Sequence, residues 1–269
     1  IMPSLVGSEM CIRDRFGALV KYWPYDLSFT LKHYQFEVAG LGWESFYNSI
    51  RLAFYTAIFG TVIIFVGSYI VEKLRSDERL RGILQLFALM PMSVPGLVLG
   101  LAYIFYFNAK DNPINFIYAT MTILVINTIV HFYTVSHLTG VTALKQMDKE
   151  FESVSLSLKI PLYKMFWKVT LPVCLPTIFD ISIYLFVNAM TTVSGVIFLY
   201  TYNTTLASVS AIHLDEQGDV AAAAAMAMLI VYVSVLVRII HTIFTKGVLR
   251  RTQAWRQDSP NAVNDVRKA

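Results

Sequence analysis

LAFYTAIFGTVIIFVGSYIV, Leu52 to Val71, carries no charge between Arg51 and Glu72. A hydrocarbon core ~30 Å thick takes about 20 apolar residues in helical form, so the stretch reads as a membrane-spanning helix. One such run also suits a buried helix of a large soluble core. Four more in one chain remove that alternative. Ile83 to Phe107 has no charge between Arg81 and Lys110, and Pro113 to Leu144 lacks Asp, Glu, Lys and Arg but contains His131 and His137. Val169 to Tyr200 is interrupted by Asp180 alone, and Val220 to Val237 runs on past Arg238 and His241 toward Phe244. The expected fold is all-α and integral to a membrane, a polytopic helical bundle with about five spans.

Composition agrees with that class. Of 269 residues 56% are hydrophobic and 15% charged, and the mean hydropathy is +0.56. Soluble domains carry nearer a quarter charged residues. Net charge is +4, and its placement says more than its size. Lys73, Arg75, Arg79 and Arg81 follow the first span; Lys145, Lys149, Lys159, Lys164 and Lys168 lie between the third and fourth; Lys246, Arg250, Arg251 and Arg256 follow the last. The other connections hold Lys110 and nothing more. If the spans alternate, the three basic segments share one side, which the bias of short basic loops makes cytoplasmic. Cys11 and Cys174 lie far apart and suggest neither a disulfide framework nor a metal site.

Outward from the spans, Trp23 to Asn48 mixes aromatic residues with Asp26, Lys32, Glu37 and Glu44, and reads as an external loop near the membrane surface. FGALVKYW before it looks like the tail of a further span, which makes this a six-span unit lacking most of its first. IMPSLVGSEMCIRDR, residues 1–15, resembles a translated sequencing-adaptor segment and is set apart from the fold. The expected organisation is then 16–48 as span end and external loop, 49–246 as the membrane unit with a cytoplasmic loop at 145–168, and 247–269 as a cytoplasmic tail.

The connection MDKEFESVSLSLKIPLYKMFWKVTLPVCLPTIFD, Met147 to Asp180, is unusual for a loop. Glu152 to Leu158 has helical spacing, and Pro161 suits the first turn of a second helix, where no N–H is needed. Leu162, Met165, Phe166 and Val169 then make an apolar stripe at helical spacing, with Lys164 and Lys168 off it. Two short helices at a bend make a docking element or, equally, an interfacial helix on the lipid headgroups.

The same stretch resembles the coupling loop of ABC importer permeases, in which an acidic residue with small neighbours precedes a glycine by seven positions and leucine–proline pairs open the next span. Glu152, Ser153, Val154 and Ser155 occupy the acidic-and-small part, Lys159 stands at the glycine position, and Leu171-Pro172 and Leu175-Pro176 supply the pairs. With lysine there, the bend falls to the Ile160-Pro161 step. WPYDLSFTLKHY, GWESFYNSI, LMPMSVPGLVLGLAY and YLFVNAMTTVSGVIFLY resemble the 2-aminoethylphosphonate permease subfamily, akin to iron(III) permeases in which two units are fused. The resemblance implies the type I importer permease fold, the C-terminal unit of a fused permease, and alternating access in the bacterial inner membrane. It also implies ABC ATPase subunits, a periplasmic substrate-binding protein and a second permease unit as partners. Glu152, Ser153, Val154, Ser155, Leu158, Lys159 and Pro161 would then touch the ATPase. No cofactor, metal or nucleic acid is expected.

Two other classes compete. A secondary transporter or channel carries mid-membrane ionisable groups, for which only His131, His137 and Asp180 qualify. A membrane enzyme needs a constellation such as HExxH or GxSxG, and the sequence has neither, nor a Walker GxxxxGK[ST]. Co-purification of a separate ATPase distinguishes the importer from both. His131 and Asp180 count to similar depths, and either they face each other or Asp180 bonds a hydroxyl such as that of Thr177 or Ser182, or stays protonated, the latter reading being preferred. Asn188, Thr191, Thr192 and Ser194 partly share a face, either bonding between helices or lining the path. Pro91, Pro95 and Gly96 kink or simply pack the second span, and Ala221 to Ala225 favour close helix approach.

Overall fold

The computed structural model describes residues 17–22, 25–36, 42–73, 78–109, 111–147, 154–155 and 157–252. Its helices are α1 (Trp43–Lys73), α2 (Glu78–Ser93), α3 (Gly96–Phe107), α4 (Met121–His131) and α5 (Tyr133–Lys145). After a run of short turns come α6 (Leu175–Thr191), α7 (Ala207–Glu216) and α8 (Val220–Thr252). Two helices, α1 and α8, are long and apolar enough to cross a membrane unbroken. Three bent pairs complete up to five crossings: α2 with α3 at 106°, α4 with α5 at 54°, and Tyr163–Val173 with α6 at 73°.

Each break has a local cause or lacks one visibly. Between α2 and α3 stands Pro95, which donates no hydrogen bond and pushes Val94 out of helical conformation. Pro91 is accommodated inside α2. The 73° bend falls at Cys174, between Pro172 and Pro176, each at the start of a helical segment. The α4–α5 kink sits at Phe132, φ −97° and ψ 10°, with no proline or glycine beside it.

The core gathers around α1. Leu52, Ile64 and Phe65 pack with Ile123, Leu124 and Ile129 of α4, Leu144 of α5, and Ile181 and Leu185 of α6. Small residues set the closest approaches. A Cβ on Gly140 would stand 2.7 Å from Ser68 Oγ, and one on Gly60 2.8 Å from Leu185 Cδ1. Ala222 to Ala225 are buried at the start of α8, against neighbours that include Leu214 of α7 and Ala18 near the N-terminus. Their role there is packing.

Two stretches depart from the sequence reading. The fourth span ends at Thr191, not Tyr200, because Thr192 turns extended and 194–199 forms consecutive turns. Non-helical backbone at membrane depth is tolerated where protein covers it, and here Asn127 and Ser208 cap it: Asn127 Nδ2 donates to Gly195 O at 2.8 Å and Ser208 Oγ to Thr192 O at 2.7 Å. The N-terminal segment is a strand pair, β1 (Val20–Tyr22) antiparallel to β2 (Asp26–Phe29), where a span end and loop are expected.

Candidate coupling loop and intramembrane polar sites

The 145–168 connection is described at Lys145 to Met147, Val154, Ser155 and Ser157 onward; Glu152 and Ser153 lie outside the described residues. A helical turn ends there in a left-handed cap. Lys159 has φ 51°, Ile160 N–H reaches back to Ser155 O at 2.9 Å, and the six-to-one closure is that of a Schellman motif. The bend therefore lies at Lys159 itself rather than at the Ile160-Pro161 step. A left-handed residue is what the motif requires at that position, and lysine adopts it in place of glycine. Pro161 O then accepts Lys164 N–H at 3.0 Å and Met165 N–H at 3.3 Å, opening Leu162–Met165 as a second short helix.

That helix widens into a π turn over Phe166–Thr170, in which Leu171 N–H bonds Phe166 O, five residues back. Pro172 is the physical reason: its ring would collide with the Lys168 carbonyl in regular α-helix. The expected apolar stripe is present where it is described. Met165 is buried, and Phe166 meets Tyr69 at 4.7 Å and Phe65 at 6.1 Å between ring centres, so the segment is bolted to α1. On its outer side Val154, Leu158, Ile160, Tyr163 and Trp167 are exposed, with Lys159, Lys164 and Lys168 among them. Ser155 is buried. Bare apolar side chains rimmed by cations make an interaction surface.

Asp180 does not meet His131. Its carboxylate lies 3.4 Å from His241 Nε2 on α8, where Phe244 also packs edge-on against Phe179. Among the described residues, neither Thr177 nor Ser182 hydrogen-bonds the carboxylate. Asp180 is 58% exposed and borders a groove of roughly 480 Å³ with Thr139, Thr142, Gln146 and Thr177. His131 instead ends α4 against the start of α3: a Cβ on Gly96 would stand 3.0 Å from its Cε1 and 2.7 Å from Ser194 Oγ. The equal-depth count fails because both crossings are broken, so residue number does not map onto depth along one straight axis.

Asn188 and Thr191 donate back to their own helix, to Tyr184 O at 2.7 Å and Val187 O at 3.1 Å, and neither hydroxyl nor amide is recorded bridging helices. Thr192 is buried, while Ser194 is exposed. Sequence reasoning missed Asn127 and undervalued His137. Both are essentially fully buried, and His137 Nδ1 meets Ser68 Oγ at 3.1 Å while its ring stacks on Tyr133. A lone polar residue in an apolar run is the only signal either offered. Among the described residues no group of three His, Cys, Asp or Glu side chains is placed to hold a metal.

Residues 60–250 match the model of the binding-protein-dependent transport system inner membrane component family. The chain belongs to that family. Among curated relatives, this permease is 30% identical over 227 residues to the ferric transport system permease protein FbpB of Actinobacillus pleuropneumoniae, covering 81% of the chain and 32% of the relative. It is 32% identical over 198 residues to the putative ferric transport system permease protein FbpB 1 of Haemophilus influenzae, covering 70% and 30%. The permease thus spans about a third of the length of these relatives. Its fold is that of a chain in a bacterial ABC transporter importing alginate, with TM-score 0.73 at 14% identity over 90% of this chain and 89% of the other. The MetNI methionine ABC transporter gives 0.63 at 13% identity over 75% and 93%. The permease is a multi-pass inner membrane component, not itself the ATPase.

Proposed function

We propose that this chain forms half of the pore of a binding-protein-dependent ABC importer, with 145–168 docking on a cytoplasmic ATPase. The exposed Val154–Trp167 surface, bolted to α1 through Phe166, carries this reading. A surface held that way transmits displacement into the bundle. In this reading the three basic segments are cytoplasmic, a periplasmic binding protein delivers solute to the opposite face, and a second permease unit, fused or separate, completes the path. Glu152, Ser153, Val154, Ser155, Leu158, Lys159 and Pro161 form the ATPase contact, with Glu152 pairing with a cation or amide in its groove. His131, Asp180, Asn188, Thr191, Thr192 and Ser194 remain candidates for the path. Asp180 is the best of them, because a carboxylate this exposed at membrane depth is costly against lipid and calls for water or a second protein surface.

For the solute, ferric iron is the reading favoured by the two FbpB relatives. The phosphonate reading rests on the four segments quoted above and is the alternative. Glu152→Lys in the complete importer is expected to leave ATP hydrolysis and membrane insertion intact while abolishing uptake. Normal uptake in that variant defeats the docking reading. Uptake of radiolabelled iron but not of radiolabelled 2-aminoethylphosphonate by the unmutated importer decides the solute.

A further inference from the structure

We infer that the N-terminal strand pair is a lipid anchor, with the exposed Leu27 and Phe29 of β2, and Leu31 just beyond it, seated at the headgroup–acyl boundary of the bilayer. The pairing is irregular, with Val20 opposite Phe29 but Tyr22 opposite Asp26. Leu27, Phe29 and Leu31 are nonetheless 58%, 83% and 71% exposed, and Tyr25 86%. Polar Asp26, Ser28 and Thr30 are interspersed among them, Ser28 exposed as well. Asp26 pairs with Lys21 at 3.7 Å and accepts the Ser28 N–H at 3.1 Å. Asp26 and Thr30 border a cavity of roughly 560 Å³ shared with Lys32 and Asp219, so the cavity side is wet.

The height of the hairpin follows from what it touches. Ala18, just before β1, packs on Ala224, Ala225 and Met228, four to eight residues into α8, or about 6–12 Å along it. Phe36, just after β2, meets Trp43 edge-on at 6.0 Å. Trp43 and Tyr47 are exposed in the first turns of α1, the position where aromatic residues mark a membrane boundary. The strand pair therefore stands where two spans leave the bilayer. Its chemistry narrows the level further. The outer edge of a two-stranded sheet has unpaired N–H and C=O groups, which hydrocarbon does not tolerate. A row of bare leucine and phenylalanine is likewise unfavourable in water. Only the boundary layer accepts both, as it does for amphipathic segments lying in the interface plane.

The inference rests on membership of an inner-membrane family and not on the coupling reading, so either can fail alone. The chain is reconstituted in nanodiscs of phosphatidylethanolamine and phosphatidylglycerol with Leu27→Cys, Phe29→Cys or, as control, Thr30→Cys at the cavity. The background is Cys11→Ser; Cys174 stays because it is buried. Each variant carries an environment-sensitive fluorophore, and size-exclusion elution identical to the parent certifies its fold. Labels at 27 and 29 are expected to emit blue-shifted light and to be quenched more by lipids spin-labelled high on the acyl chain than by lipids labelled near its end. The label at 30 is expected to behave as in water. Water-like emission at 27 and 29 overturns the anchor, and so does stronger quenching from the deep label. Blue-shifted emission that no spin-labelled lipid quenches assigns the face to a second protein surface instead, and equally overturns it.

Discussion

Lys159 carries a side chain through the left-handed region, where an L-residue with a Cβ costs roughly 1–2 kcal/mol and glycine nearly nothing. Lys159→Gly is therefore expected to stabilise the turn by about 1 kcal/mol, read as a raised thermal midpoint of the purified chain; an unchanged or lowered midpoint speaks against the cap geometry. Asp180 offers a second test at this scale. A partly exposed carboxylate–imidazole contact is screened by solvent, so a double-mutant cycle of Asp180→Asn with His241→Gln should give a coupling of no more than about 1 kcal/mol. The same cycle with His131→Gln should give none. These two residues also mark what the sequence can tell. The glycine-position lysine is visible in the sequence, but its left-handed backbone is legible only from the hydrogen bond Ile160 makes to Ser155. Asp180 is visible as the one carboxylate in its run, while its partner comes from α8, beyond the turns at 194–199 and α7.

Helix contacts at glycine are the testable unit at the scale of elements. A Cβ on Gly100 would stand 2.9 Å from the Gly195 carbonyl, a backbone atom that cannot swing away. Gly100→Ala is expected to cost about 1–3 kcal/mol by forcing α3 off the 194–199 turns. Gly82, inside α2 with nothing within 4 Å, is the control, and Gly82→Ala should be neutral or stabilising by about 0.5–1 kcal/mol. Chemical denaturation of the two variants in mild detergent compares them directly, and equal losses would remove the close contact as the cause. Proline marks two of the three breaks in the crossings, and both are legible in sequence at Pro95 and at the Pro172–Pro176 pair. The Phe132 kink and the end of α6 at Thr191 are not: the first has no proline or glycine beside it, and at the second Asn127 and Ser208, from elsewhere in the chain, take up the freed carbonyls. The strand pair was hidden for a simpler reason, since strands of three and four residues are too short to outweigh five apolar runs.

Across the whole molecule, the expected sidedness puts Leu158 and Tyr202, both about two-thirds exposed, on opposite faces of the membrane. Leu158→Cys and Tyr202→Cys in intact vesicles should react with an impermeant maleimide from opposite sides, and reaction from one side overturns the arrangement. Up to five crossings, counting each bent pair as one, were readable from length and charge alone. Their bending was not, and it changes what a push on the loop does. Between the exposed loop surface and α6 stands the π turn at Phe166–Thr170, which holds one residue more than an α-helical turn would. Letting that residue pass through rotates the helix on one side against the other by about 100°. A load applied at the loop can therefore leave as torque, turning the Asp180 face of α6 relative to the groove it now borders. Pro172→Ala, which restores the missing N–H, should close the π turn and advance the cross-linking pattern of α6 against α5 by one residue. The segment is then less a lever than a slip clutch.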